Sequence, residues 1–294
     1  MKPGAFAYRR PATLDEALAL LASHGEAAKP IAGGQSLVPM MNLRMAQPEV
    51  LVDVAGLPGL DAIVDLDDAI ELGALARHQS IADSPLVRAR CPLLAEAAAC
   101  IGHYAIRQRG TLGGSLAHAD PAAQLSLVAV TLGATIIVQG AGGRRELSAR
   151  EFFVSIMTTA LAADELVVAA RFPASGAREG AAFRLFNRRH GDYAIVSAAT
   201  RVALDEAGLV RRLDLGVGAV EAVPVSLAAL ADAQRGRRPD AAWIDAVSSA
   251  AREAVDAQDD ARASALYRRE LTGTLVGRAL GAALAQARTG AVTP

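Results

Sequence analysis

Apolar positions along the chain change period several times, and each change marks an element. In "TLDEALALLASHG" (13–25) they recur at helical spacing; Thr13 followed by Glu16 forms a capping-box signature and Gly25 is a stop signal. "KPIAGG" (29–34) reads as a short strand running into a glycine turn, "LVPMMNLRM" (37–45) as helical or irregular, and "EVLVDVAG" (49–56) as a buried strand. "AIVDLDDAIELGALA" (62–76) predicts a hairpin turning at Asp67-Asp68. Residues 81–101 predict a helical region, with Cys91 and Cys100 on what reads as one helix.

A second glycine stretch, "GTLGGSLAHADP" (110–121), precedes a helix in "AAQLSLVAVTLG" and the strand "ATIIVQG", which turns at Gly142-Gly143. The strand "DELVVAARFP" closes this region at Pro173, and "ASGAREGA" is small and polar, suited to a domain junction. Beyond it lie Val/Ala/Leu-rich strands ("AIVSAATRVAL", "RRLDLGVGAV") and helices over roughly 240–257 and 264–287. The expected class is α+β. Residues 1–177 form one domain of two lobes (about 1–57 and 58–177), and 178–294 form a second.

Composition narrows the function. The 294 residues are 52% hydrophobic, enough for a sizeable core, and the net charge of −1 provides no general basic surface for nucleic acid. No window approaches the ~18 apolar residues of a membrane span. The N-terminus has no signal-peptide pattern, so a cytoplasmic protein is expected. Two cysteines make neither a disulfide framework nor an iron–sulfur ligand set. His24, His78, His103, His118 and His190 show no metal-ligand spacing; His103 and His118 flank the second glycine stretch.

The paired glycines carry the candidate chemistry. Neither "GGQSL" nor "GGSLA" has the Lys and Ser/Thr of a P-loop, and "GVGAVE" (216–221) comes late and lacks the third glycine of a dinucleotide fingerprint. Two readings remain. Each Gly-Gly is a tight structural turn, or successive amides form a nest for an anion, with Ser36 and Ser115 adding hydroxyls. Two such loops could clasp a long ligand through its pyrophosphate.

"KPIAGGQSLVPMMNLRMAQPEVLVDV" together with "IRQRGTLGGSLAHADPAA" resembles the FAD-binding subunit of the molybdenum hydroxylases, the carbon monoxide dehydrogenase and xanthine dehydrogenase type. The resemblance runs almost end to end, through "GDYAIVSAA" to the C-terminal helices. It implies a PCMH or vanillyl-alcohol-oxidase-type fold with a C-terminal domain of a three-stranded sheet and helices. It also implies bound FAD on this chain, with molybdopterin and [2Fe–2S] clusters on a large and a small partner subunit in a dimer of heterotrimers. Electrons would pass from the clusters through FAD to an external acceptor: NAD⁺, a quinone or oxygen.

Carried over by resemblance, Lys29, Pro30, Ile31, Ala32, Gly33, Gly34, Gln35, Ser36 and Leu37 form the first FAD loop, and Thr111, Gly113, Gly114 and Ser115 the second. Ile101 falls near the flavin, the Val167 backbone at the adenine or ribose end, Arg184 near the ring or ribityl chain, and Tyr193 over one face of the ring. Gln124 stands where the family usually has Asp, which weakens an acceptor for a ribose or ribityl hydroxyl, while Asp120 remains nearby. Ile101 and Val167 also read as plain core residues, and Tyr193 as packing between domains. No catalytic acid, base or nucleophile is required of this chain. The competing functions are a stand-alone flavin oxidase of the same superfamily and a non-catalytic scaffold with structural glycine turns.

Overall fold

The computed structural model describes residues 1–289. The N-terminal lobe is a parallel sheet of three short strands, β1 (Ala7–Arg9), β2 (Ala28–Ile31) and β3 (Val50–Asp53), ordered β1-β3-β2. Helix α1 (Leu14–His24) buries Ala17, Leu18 and Leu21 against Val50 and Val52. Thr13 caps it, accepting from the Glu16 amide at 3.2 Å, and Gly25 ends it. A six-residue helix, α2 (Leu37–Asn42), follows the first glycine pair.

The second lobe centres on a five-stranded antiparallel sheet. Strands β4 (Ile63–Leu66) and β5 (Ala69–Gly73) form the expected hairpin, with Asp67 at φ 48° in its turn. Helical segments follow: α3 (His78–Asp83), α4 (Pro85–Arg90), α5 (Pro92–Ala99), α6 (Tyr104–Arg107), α7 (Leu112–His118) and α8 (Gln124–Leu132). The single helix expected to carry both cysteines is broken. Pro85 and Pro92 each begin a new helix, since proline fits the first turn but not the interior. Cys91 lies at the break, and Cys100 caps the C-terminus of α5.

Strands β6 (Thr135–Gly140) and β7 (Gly143–Ser148) make a second hairpin. A short excursion follows: α9 (Ala149–Phe152), β8 (Phe153–Ser155) and β9 (Thr158–Thr159). Strand β10 (Leu166–Pro173) then inserts between the hairpins, giving the order β4-β5-β10-β6-β7. A bulge between Val167 and Ala169 turns Val168 toward Leu14 and Leu60, tying the sheet to the first lobe.

After Pro173 come three long strands, β11 (Glu179–Phe186), β12 (Val196–Leu204) and β13 (Val210–Gly218), and a two-residue edge strand, β14 (Val225–Ser226). Helices α10 (Ala228–Asp232), α11 (Ala241–Ala254) and α12 (Ala265–Thr289) complete the described chain. Strand alternation splits this sheet between two cores. Ala181, Phe183 and Ala199 join the core of the second lobe with α5 and α8, while Ala182, Ala198 and Val202 face α11 and α12. All nine residues of β12 are therefore buried.

Candidate functional site

The chain leaves β2 at Ile31, turns through Ala32–Ser36 and enters α2 at Leu37. Gly34 has φ 71°, a left-handed conformation that favours glycine. Gly33 needs to be glycine for another reason. A Cβ there would lie 2.7 Å from the Arg109 carbonyl carbon, closer still to its oxygen, and 3.0 Å from Gly110 Cα. Gln35 Nε2 donates to the Gly33 carbonyl at 2.9 Å. Among the described residues, no protein acceptor takes the amides of Gly33, Gly34, Gln35, Ser36 or Leu37. Five successive N–H groups at a half-buried loop feeding a helix are thus left open to an anionic ligand.

The second motif is built differently. Gly113 and Gly114 lie inside the first turn of α7, and neither has positive φ. The expected glycine turn is a capped helix start, because the hydroxyl of Thr111, itself buried, accepts from Gly114 N at 3.1 Å. Leu112 N donates to Ala76 O at 3.0 Å, Gly113 N to Ala74 O at 2.8 Å and Ser115 N to Thr111 O at 3.0 Å. These amides are already satisfied. A Cβ at Gly113 would meet Ala74 Cβ at 2.5 Å, so the strand end beneath α7 accounts for that glycine. Gly114 is exposed, and a Cβ there would touch only the Thr111 hydroxyl, at 2.8 Å.

A polar brace fixes the loop before the second motif, the backbone against which Gly33 packs. The Arg77 guanidinium donates to the Arg109 carbonyl, and Arg77 also bridges to Thr111 along the backbone. His78 Nε2 donates to Thr111 O at 2.9 Å, which fixes its tautomer and leaves Nδ1 without a partner. Burial, aided by Arg107 and Arg77 and opposed by the Thr111 bond, pushes the His78 imidazole down to about 4.

Tyr193 reaches this assembly from the C-terminal sheet. Its phenol lies near the Ser36 side chain and Asp120. Burial and the Asp120 charge raise its pKa, against the influence of Ser36 and Arg262, although about half of the residue remains exposed. Asp120 Oδ1 accepts from Ala122 N at 2.8 Å, and Gln124 is buried at the start of α8. The 190–193 segment meets the 101–103 segment: the His103 and His190 rings are 5.5 Å apart, and a Cβ at Gly191 would strike the His103 ring.

The remaining expected residues are more dispersed. Ile101 is half-buried against the core, and its carbonyl accepts from Arg107 Nη1 at 3.1 Å. Arg184 is paired with Glu96 at 2.7 Å, and the other Glu96 oxygen takes Phe183 N at 2.8 Å. Val167 turns its side chain into the core that also holds Leu112 and Leu116 of α7. Lys29 is exposed on β2; Pro30, Ile31, Ala32, Leu37 and Ser115 are half-buried. Sequence reasoning missed Arg77, His78 and Glu96. Of these only Glu96 left a signal, a lone charge within "LLAEAAAC".

Residues 4–175 match the family described as the FAD binding domain in molybdopterin dehydrogenase, and residues 181–283 match the CO dehydrogenase flavoprotein C-terminal domain. The chain belongs to the FAD-binding medium subunits of the molybdenum hydroxylases. This medium subunit is 42% identical over 292 residues to the 6-hydroxypseudooxynicotine dehydrogenase complex subunit alpha of Paenarthrobacter nicotinovorans, covering 98% of this chain and 97% of that one. It superposes with TM-score 0.94 and 35% identity on a chain of carbon monoxide dehydrogenase from Hydrogenophaga pseudoflava, covering 97% and 99% of the two. A chain of quinoline 2-oxidoreductase from Pseudomonas putida 86 gives TM-score 0.92 and 33% identity, covering 98% and 99%. The family is an oxidoreductase family whose molybdenum and iron–sulfur cofactors reside on other subunits.

The free amides of 33–37 fit the diphosphate of FAD, and an aromatic residue poised beside Ser36 fits its ring system. No helix of the described residues is long and apolar enough to cross a membrane. Among the same residues, no group of three or more His, Cys, Asp or Glu is placed to hold a metal ion.

Proposed function

We propose that this subunit relays electrons from the [2Fe–2S] clusters of a small partner subunit to an external acceptor, in a cytoplasmic complex that also contains a large molybdopterin subunit. A dimer of heterotrimers is the expected assembly, and NAD⁺, a quinone or oxygen the acceptor. FAD, when bound, supplies the exchange between one- and two-electron carriers that such a relay needs. The observation that carries this reading is the run of unpaired amides at Gly33–Leu37, with the Tyr193 phenol beside Ser36.

In this reading the 33–37 amides and the Ser36 hydroxyl hold the diphosphate, with Lys29–Ala32 leading the strand into the cradle. The exposed edge of Gly114 and the Ser115 hydroxyl flank the diphosphate, while Thr111 and Gly113 set the height of α7. Tyr193 covers one face of the ring system. Ile101 and Arg184 border the ring, and Glu96 holds the guanidinium in place. Asp120 and Gln124 offer acceptors to ribityl or ribose hydroxyls, and the Val167 backbone borders the adenosine end. The FAD-binding unit is residues 1–177, in lobes of about 1–57 and 58–177, with 178–294 as the C-terminal unit.

Relatives of similar identity are named for 6-hydroxypseudooxynicotine, carbon monoxide and quinoline. That spread supports a substrate choice made on another subunit. The test is purification of the chain alone and with its co-expressed partners. Alone it should show at most weak dye reduction and no hydroxylation of purines, aldehydes, N-heterocycles or CO. Hydroxylation by the metal-free chain alone would overturn the proposal.

A further inference from the structure

Tyr193 sits in an irregular segment, 187–195, between β11 and β12, so regular structure does not determine its position. A cluster at the start of α12 grips this segment through its backbone carbonyls. Arg262 Nη2 donates to the Tyr193 carbonyl at 2.6 Å. Arg268, 4% exposed, donates through Nη1 to the Ile195 carbonyl at 2.6 Å and the Ala219 carbonyl at 2.5 Å. Arg188 donates back to the Arg262 carbonyl at 2.6 Å.

Asp260 organises both arginines. Its Oδ2 pairs with Arg268 Nη2 at 2.6 Å. Its Oδ1 accepts the amides of Arg262 and Ala263 at 2.8 and 2.9 Å, folding the turn that presents the Arg262 side chain. One carboxylate thus orients two guanidinium groups, and these hold the carbonyls of residues 193 and 195. The Tyr193 phenol in turn lies beside Ser36 of the first lobe.

We propose that Asp260, Arg262 and Arg268 are positioning residues that set Tyr193 against the flavin ring, so that the start of α12 governs how tightly the cofactor is held. The proposal rests on the reading that Tyr193 covers the ring. Arg262 is the discriminating member. It is exposed, and its side chain is bonded to the Tyr193 carbonyl, so its loss should disturb the tyrosine more than the fold. Arg268 is buried, and its loss would also damage the packing beneath it.

The experiment uses the chain purified with its co-expressed partner subunits, as parent, Tyr193→Ala, Arg262→Gln, Arg262→Lys, Asp260→Asn and the Tyr193→Ala/Arg262→Gln double variant. The readouts are the FAD dissociation constant, the fluorescence and visible circular dichroism of bound flavin, and the melting temperature. Arg262→Gln should weaken FAD binding at least threefold and shift both flavin signals in the direction of Tyr193→Ala, with an unchanged melting temperature in the FAD-free protein. Arg262→Lys should recover most of the loss, and Asp260→Asn should exceed Arg262→Gln. The double variant should be no worse than Tyr193→Ala, as expected for two residues acting through one contact. If Tyr193→Ala changes the flavin signals while Arg262→Gln and Asp260→Asn stay within threefold of parent, the positioning role is overturned and the Tyr193 reading stands. If Tyr193→Ala leaves affinity and signals unchanged, that reading falls and the positioning role with it.

Discussion

The four glycines of the two motifs should respond unequally to an added methyl group, and Gly33→Ala set against Gly114→Ala is the informative comparison. At position 33 the new Cβ would lie 2.7 Å from the Arg109 carbonyl carbon, where ordinary carbon contacts are about 3.5–4.0 Å. Arg77 pins that carbonyl, so the two loops must move apart by about 1 Å. Overpacking of this kind costs about 1–3 kcal/mol, or about 2–5 °C in melting temperature for a chain of this size. At position 114 the Cβ would meet only the Thr111 hydroxyl, which can rotate away. Losing that cap costs about 1 kcal/mol, and replacing a helical glycine by alanine returns about 1 kcal/mol, so stability should barely change. FAD affinity should nevertheless fall at least tenfold if the diphosphate passes over Gly114. Melting curves of the FAD-free chain and FAD titrations of both variants provide the assay. A Gly114→Ala protein that melts as low as Gly33→Ala and binds FAD normally would refute the reasoning.

Three further outcomes are expected. His78 is depressed from 6.5 to about 4, so the native state holds it neutral while the unfolded chain protonates. Its stabilising contribution is therefore complete above pH 6.5 and is lost as pH falls toward 4; this group alone should cost about 2 kcal/mol between pH 7 and pH 5, and His78→Gln should flatten that part of the stability profile in denaturant titrations. Arg201, 2% exposed, pairs with Asp214 at 2.8 Å and donates to the Pro173 carbonyl at the end of β10, so Asp214→Ala should cost about 3–5 kcal/mol in the same titrations by stranding a buried cation. FAD should be held non-covalently, because burial pushes the Cys91 thiol up to about 11 and also raises Cys100; flavin remaining on acid-precipitated chain would contradict this.

Local grammar made much of the fold legible. Thr13 and Gly25 delimit α1, the Asp67-Asp68 turn closes its hairpin, and the Val/Ala/Leu-rich run "AIVSAATRVAL" marks a strand. Ser84-Pro85 and Cys91-Pro92 were readable as breaks as well, and reading one helix across them undervalued what proline does to an interior turn. The paired glycines pointed to one region but concealed two mechanisms. Only the first pair leaves its amides free; in the second, Gly113 is required by Ala74, a contact no local pattern encodes. Long-range partners were the least legible. Glu96 meets Arg184 across 88 residues and Arg262 meets Tyr193 across 69, and neither pairing has a periodic or motif signature.

The central place of β10 has a consequence for biosynthesis. Arg171 lies beside Glu71, 100 residues earlier, and β10 fills the gap between two hairpins that are complete long before it is made. While the ribosome works through the residues before Leu166, the inner edges of β5 and β6 present unpaired backbone and Ile70, Leu72, Ile136 and Val138 without their cover. The nascent lobe therefore passes through an interval in which it can neither close its sheet nor bury its core, and it is then most exposed to aggregation and most dependent on chaperones. Slow translation before codon 166 would lengthen that interval, and the yield of assembled enzyme would depend on the speed with which one strand is delivered.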